Sequence, residues 1–286
     1  KHCFSHGDIM GLIAELVHYE YGPDEYLIAQ LINQWHLSRQ IYKEDKIFLL
    51  RLLVNVSRTS GFRFDVVIYN NLFKAFGALQ ENEMLRAVYE EAKAKRIALN
   101  VISYNSLFKA FGELNDNEML KAVYKEAKGR EDIELNVISY SSLFKAFGAL
   151  QDNEMLKAVY EEAKEREDIE LNVISYSSLF KAFGELQENK MLKAVYEEAK
   201  ARGNIELDVI SYSSLFKAFG ELQENEMLKA LYEEAKAKHI ELNVISYSSL
   251  FKAFGELNDN EMLRAVYKEA KGREDIELDV ISYSSL

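Results

Sequence analysis

The sequence predicts an all-α protein, a solenoid of stacked antiparallel helix pairs with a period of 35–36 residues. Three observations carry this expectation. The tetrad Val-Ile-Ser-Tyr returns along the chain with its tyrosine at Tyr104, Tyr140, Tyr176, Tyr212, Tyr247 and Tyr283, and Tyr69 in Val66-Val67-Ile68-Tyr69 belongs to the same series. Self-similarity at such a period is the signature of a repeat array. Apolar residues recur at helical spacing within each period. Helix breakers are scarce, with one proline and 13 glycines in 286 residues, while Ala, Glu, Lys and Leu favour helix throughout.

Residues 1–65 do not carry the tetrad, yet Ile9 to Leu16, Tyr26 to Trp35 and Ile47 to Val56 keep helical apolar patterning. We read this region as a degenerate cap, because one face of a terminal repeat meets water and its sequence must differ. Six complete units follow, 66–100, 101–136, 137–172, 173–208, 209–243 and 244–279, and residues 280–286 open a truncated seventh. Lys1 is not a methionine and Leu286 falls inside a repeat, so the natural ends are expected to lie outside this sequence.

Unit 101–136 shows how each pair is built. Tyr104, Leu107, Phe108 and Phe111 fall on one stripe of a first helix. Gly112 to Asn117 has turn composition, and Asn115, Asp116 or Asn117 suits the N-cap of a second helix. Leu120, Val123, Tyr124 and Ala127 form the stripe of that helix, which Lys128, Gly129 and Arg130 are suited to end. Neither stripe can be buried within one pair, so neighbours must stack, with helix axes roughly 8–10 Å apart.

Several function classes drop out. A single cysteine, Cys3, excludes a disulfide framework and suits a reducing compartment. No apolar run reaches the roughly 18–20 residues of a membrane helix, so no membrane insertion is expected. His18, His36 and His239 are scattered and form no nucleophile–base series, so no enzyme is predicted. His2, Cys3 and His6 lack a fourth ligand, and Asn115 to Glu118 lacks the glycine and distal glutamate of a calcium loop. No metal or cofactor is expected.

The first helix reads Val-Ile-Ser-Tyr-Asn-Ser-Leu-Phe-Lys-Ala-Phe-Gly (Val101 to Gly112), the second Leu-Lys-Ala-Val-Tyr-Lys-Glu-Ala-Lys (Leu120 to Lys128), and the unit closes Ile-Glu-Leu-Asn (Ile133 to Asn136). This pattern resembles the pentatricopeptide repeat family over residues 66–286. Two departures stand out: Leu135 replaces the family's closing proline, and Ala127 replaces its methionine. The resemblance implies a right-handed superhelix that binds single-stranded RNA, about one base per repeat. It also implies an organellar home, mitochondrion or chloroplast.

In the family, the residue after the repeat tyrosine and the last residue of the repeat read the base. Here the first series is Asn70, Asn105, Ser141, Ser177, Ser213 and Ser248, and the second is Asn100, Asn136, Asn172, Asp208, Asn243 and Asp279. The second residue of each repeat packs on the base plane, which assigns Val67, Ile102, Ile138, Ile174, Ile210 and Ile245. Asp only accepts hydrogen bonds, whereas Asn donates and accepts. By this analogy the array reads pyrimidine, pyrimidine, A, G, A, G from 5′ to 3′.

Net charge is −12, which opposes a phosphate-bearing partner unless the charges are segregated. The stripe of Ile102, Asn105 and Lys109 carries a lysine in every unit: Lys74, Lys109, Lys145, Lys181, Lys217 and Lys252. These are candidate phosphate contacts. One turn later stand Glu113, Glu185, Glu221 and Glu256, with Ala78 and Ala149 in the other two units. Other acids, such as Glu118, Glu126, Glu197 and Glu198, are expected on the outer face of the second helices. Two plainer readings compete: Asn and Asp before the tetrad are good helix caps, and the same solenoid suits a protein-interaction scaffold within a larger complex.

Overall fold

The computed structural model describes residues 25–39, 41–60, 63–273, 275–276 and 278. His2, Cys3, His6, Asp279 and the start of the seventh repeat lie outside the described residues.

Fourteen helices run through the described residues: α1 (Glu25–Leu37), α2 (Lys43–Ser60), α3 (Val66–Ala78), α4 (Asn82–Ala94), α5 (Val101–Glu113), α6 (Asn117–Lys128) and α7 (Val137–Ala149), then α8 (Asn153–Glu165), α9 (Val173–Glu185), α10 (Asn189–Ala201), α11 (Val209–Glu221), α12 (Asn225–Ala237), α13 (Val244–Glu256) and α14 (Asn260–Lys271). From α3 onward, odd-numbered helices begin at a repeat valine and even-numbered ones at an asparagine. None is long and apolar enough to cross a membrane. The chain divides into two compact units, residues 1–139 and 140–286.

In the first unit, α1 packs on α3 and α3 on α5; in the second, α9 packs on α11 and α11 on α13. In both units these first helices stack on one another, and α4, α6, α10, α12 and α14 each pack beside the first helix of their own pair. Tyr104, Leu107, Phe108 and Phe111 are fully buried, as are Leu120, Val123 and Ala127. Truncating one such ring, as in Phe108→Ala, costs about 3–5 kcal/mol.

A glycine near the end of α3, α7, α9 and α11 sets how closely the next first helix can approach. A Cβ on Gly77 would lie 2.6 Å from Ala110 Cβ, and one on Gly184 would lie 2.4 Å from Ala218 Cβ. Gly112, placed in the turn by its composition, is instead buried in the last turn of α5. The turn itself is short, because Asp116 caps α6 by accepting from Met119 N–H.

The residue before that turn is held at positive φ: Gln80, Asn115, Gln151, Gln187, Gln223 and Asn258 lie at 54° to 61°. Gln187 N–H donates to Gly184 O and Glu188 N–H to Phe183 O, both at 2.9 Å. This is the left-handed helix end usually occupied by glycine.

The second helices carry a recurrent carboxylate that joins repeats. Glu234 Oε2 accepts from Tyr196 Oη at 2.5 Å, and Glu234 Oε1 accepts from Tyr212 Oη at 2.8 Å. Glu126 does the same for Tyr89 and Tyr104, and Glu198 for Tyr160 and Tyr176. The expectation that Glu126 and Glu198 face outward is therefore corrected. Both are partly buried in the joint between repeats, where phenols donate to them. Glu118 and Glu197 are exposed. Among the described residues the repeat tyrosines, Tyr69 to Tyr247, are core residues with their hydroxyls partnered.

Candidate functional site

The two candidate reading series lie where the first helices start. Asn100, Asn136, Asn172, Asp208 and Asn243 are each the N-cap of the following first helix. In every case Oδ1 accepts the N–H of the serine three residues on, at 2.8–3.1 Å. The plainer cap reading thus describes what these side chains do in the fold. It does not exhaust them. Capping engages Oδ1, and the second terminal atom is an amide Nδ2 in Asn172 but a carboxylate Oδ2 in Asp208. Interchange of Asn and Asp keeps the cap and inverts the hydrogen-bonding character of that second atom. All five positions are partly or fully exposed.

The residue after each tyrosine is recessed one turn into the same helix. Asn70 is 6% exposed, and the amide oxygens of Asn70 and Asn105 have no hydrogen-bond partner. An orphan acceptor at a buried position is uncommon and favours an external donor. Ser177 and Ser213 are half-buried; each donates to the carbonyl four residues back and contacts the capping serine of the next repeat, Ser211 or Ser246.

The second residues are the exposed apolar row: Val67 is 51% exposed, Ile102 54%, Ile174 57% and Ile245 67%. Ile138 and Ile210 complete it. An isoleucine kept half in water on the first turn of every first helix, next to a polar pair, leaves apolar area available to a flat ligand. Between α11 and α13 this row opens into a cleft of about 260 Å³, lined by Ile245, Ser248, Lys252, Lys217 and Glu221.

The lysines Lys74, Lys109, Lys145, Lys181, Lys217 and Lys252 are all exposed, one to two turns along from the reading residues. Four of them face a carboxylate. Lys109 is 3.8 Å from Glu113, Lys181 4.0 Å from Glu185, Lys217 3.9 Å from Glu221 and Lys252 3.9 Å from Glu256. Where Ala78 and Ala149 replace the glutamate, Lys74 and Lys145 lack that partner. The lysine row is therefore basic in places and compensated in others.

Each first helix from α3 to α13 thus carries an Asn or Asp at its N-cap, an exposed aliphatic residue, a recessed polar residue and a lysine. The family resemblance supplied the polar pair and the aliphatic row, and spacing supplied the lysines. The serine that links the polar pair was not among the candidates, because its bond spans 33–34 residues and follows no local pattern.

Comparison with known proteins agrees with this architecture. The chain is similar over 97% of its length to the pentatricopeptide repeat protein PPR10 from maize, with a TM-score of 0.68 at 14% identity and 37% of that chain covered. A second structure, PPR10 in complex with an 18-nt psaJ RNA element, matches 98% of this chain and 43% of its own, with a TM-score of 0.59 at 16% identity. The chain therefore spans about two fifths of the length of these structures. No curated relative matches it. The family model described as the pentatricopeptide repeat domain matches residues 51–114, 123–186 and 194–257, about two thirds of the sequence. The chain belongs to the pentatricopeptide repeat family.

Proposed function

We propose that this protein binds single-stranded RNA along the row of first helices, about one base per repeat. Each base would pack on an aliphatic second residue such as Ile174 or Ile210. Its edge would meet the pair formed by the residue after the tyrosine and the last residue of the repeat, such as Ser177 with Asp208. The observation that carries this reading is the free second atom of the cap series. A purely structural cap needs only Oδ1, yet at the positions where Asn and Asp alternate the bonds that form the cap leave Nδ2 or Oδ2 unused. The similarity to PPR10 in complex with an 18-nt RNA element supports the same class of partner.

The expected order is pyrimidine, pyrimidine, A, G, A, G, with the lysines holding phosphates. Such a protein acts in RNA processing, stability or translation by occupying a segment or recruiting other factors to it, and the family resemblance points to an organelle. Base stacking and aliphatic packing are sequence-tolerant, so discrimination falls to the polar pair.

The decisive experiment binds a labelled oligomer of the predicted order, and versions with single base changes, to the wild type and to Asp208→Asn. The wild type should lose affinity as salt rises. Asp208→Asn should move the preference at one position from G towards A. Equal binding of ordered and scrambled oligomers would leave the scaffold reading in its place.

A further inference from the structure

The two reading side chains of a serine repeat do not touch each other directly. They meet through a third residue. Ser177 Oγ lies 2.7 Å from Ser211 Oγ, and Ser211 Oγ donates to Asp208 Oδ1 at 2.8 Å. Ser213 Oγ lies 2.7 Å from Ser246 Oγ, which contacts Asn243 Oδ1 at 3.1 Å. Ser141 Oγ lies 2.8 Å from Ser175 Oγ, which contacts Asn172 Oδ1 at 3.2 Å. Ser175, Ser211 and Ser246 are fully buried.

Proton counting gives these links a direction. Ser177 also reaches the Val173 carbonyl at 2.8 Å, so three oxygen contacts share two hydroxyl protons. A carboxylate is the strongest acceptor present, so Ser211 gives its proton to Asp208. Ser177 must then supply the proton for the Ser177–Ser211 contact. In the Asn243 repeat the acceptor is a neutral amide oxygen at the longer 3.1 Å, and the backbone N–H of Asn243 donates to Ser246 Oγ at 3.3 Å. Ser246 Oγ donates to that amide oxygen, and its contact with Ser213, which also reaches the Val209 carbonyl at 2.7 Å, has the same proton count as in the Asp208 repeat. The identity of the last residue thus reaches the residue after the tyrosine as the strength of the acceptor that ends the link, a carboxylate in one repeat and a neutral amide oxygen in the others.

We propose that Ser175, Ser211 and Ser246 are positioning residues that join the two reading side chains of the preceding repeat into one hydrogen-bonded unit, which ends on a carboxylate or on a neutral amide oxygen. This rests on the RNA reading above. The asparagine-opened repeats provide the control. Ser103 and Ser139 make the same caps with Asn100 and Asn136, but among the described residues neither bonds to Asn70 or Asn105.

The test compares wild type, Ser211→Ala, Ser246→Ala, Ser246→Thr and Ser103→Ala on oligomers that differ only in the base facing the affected repeat. All three alanine variants lose one serine hydroxyl at a cap and keep the backbone cap bond, so thermal unfolding should fall by a similar amount in each. Discrimination should not. Ser211→Ala and Ser246→Ala should lose about fivefold in G-versus-A preference, the worth of one net hydrogen bond. Ser103→Ala should keep its preference, and Ser246→Thr, which retains a hydroxyl, should restore it. If the wild type discriminates and Ser211→Ala and Ser246→Ala discriminate equally well, or Ser103→Ala loses as much as they do, the linkage proposal is overturned while the RNA reading stands. If the wild type shows no base preference, the RNA reading itself has failed and this proposal goes with it.

Discussion

The ammonium of Lys217 lies 3.8 Å from the carboxylate of Glu185, which belongs to the preceding repeat. Glu185 is also 4.0 Å from Lys181, so one acid faces two lysines of the candidate phosphate row. Exposed pairs of this kind contribute little to stability. Their effect falls on any phosphate that approaches, because the field it meets is already balanced.

Glu185→Gln should therefore tighten binding of single-stranded RNA about threefold at low salt and steepen its salt dependence. Lys145→Ala, where Ala149 stands in place of the glutamate, should weaken binding more than Lys217→Ala. Anisotropy titrations over a potassium chloride series measure both. Unchanged affinity in Glu185→Gln would remove the compensation argument.

The inter-repeat carboxylates predict an acid limb and an alkaline limb of stability. Burial alone would push Glu234 up, but hydrogen bonds from Tyr196, Lys238, Tyr212 and Lys200 outweigh it and hold the carboxyl at about 2. Asp259, bonded by Lys229 and Asn225, is likewise held at about 2. A depressed folded value means stability that is present above the ordinary carboxylate range and lost as pH falls from about 4.5 toward 2. At the other end burial, then the bond to Glu162, pushes Tyr140 up to about 12. That stability is complete below pH 10 and is lost as pH rises toward 12. Urea midpoints across the pH range should show a plateau between these limbs. Glu234→Gln should flatten part of the acid limb, and an unaltered acid limb in that variant would count against Glu234.

Gln187 is an exposed side chain held at φ 54°. The left-handed conformation costs an L-residue roughly 1–2 kcal/mol, and glycine escapes this at some cost in unfolded-chain entropy. Gln187→Gly should thus stabilise the fold by about 0.5 kcal/mol, read as a rise in the denaturant midpoint. A fall would show that the glutamine side chain contributes contacts beyond its backbone.

Gly184→Ala places a methyl 2.4 Å from the Ala218 Cβ. The helices α9 and α11 must separate to accept it, at a cost of about 1–3 kcal/mol. Gly203→Ala meets nothing within 4 Å and should stay within about 0.5 kcal/mol of the parent. Thermal melts of the two variants side by side decide the point, and equal melting temperatures would contradict the close approach.

The elements and their order were legible in the sequence because Tyr104, Leu107, Phe108 and Phe111 repeat a helical stripe that nothing but stacking can bury. The candidate site was legible at its three series, since Ile102, Asn105 and Lys109 share a face by spacing alone. What the sequence hid are relations between repeats. Glu126 looks like any surface acid on a polar helix, and only the stack brings Tyr89 to it. Gln187 gives no left-handed signal, because that preference belongs to Gly and Asn. The choice between cap and reader at Asp208 seemed exclusive in one dimension, whereas a side chain with two terminal oxygens has room for both.

Tyr196 belongs to one repeat and Glu234 to the next, and the same direction holds for Tyr160 with Glu198 and Tyr232 with Glu269. Each of these joints therefore has a giver on its N-terminal side and a receiver on its C-terminal side. A repeat added after the receiver completes a phenol, while one added before the giver supplies a phenol that is already satisfied. The joint is directional, so a tyrosine on the giver side has its acceptor only when another repeat follows it.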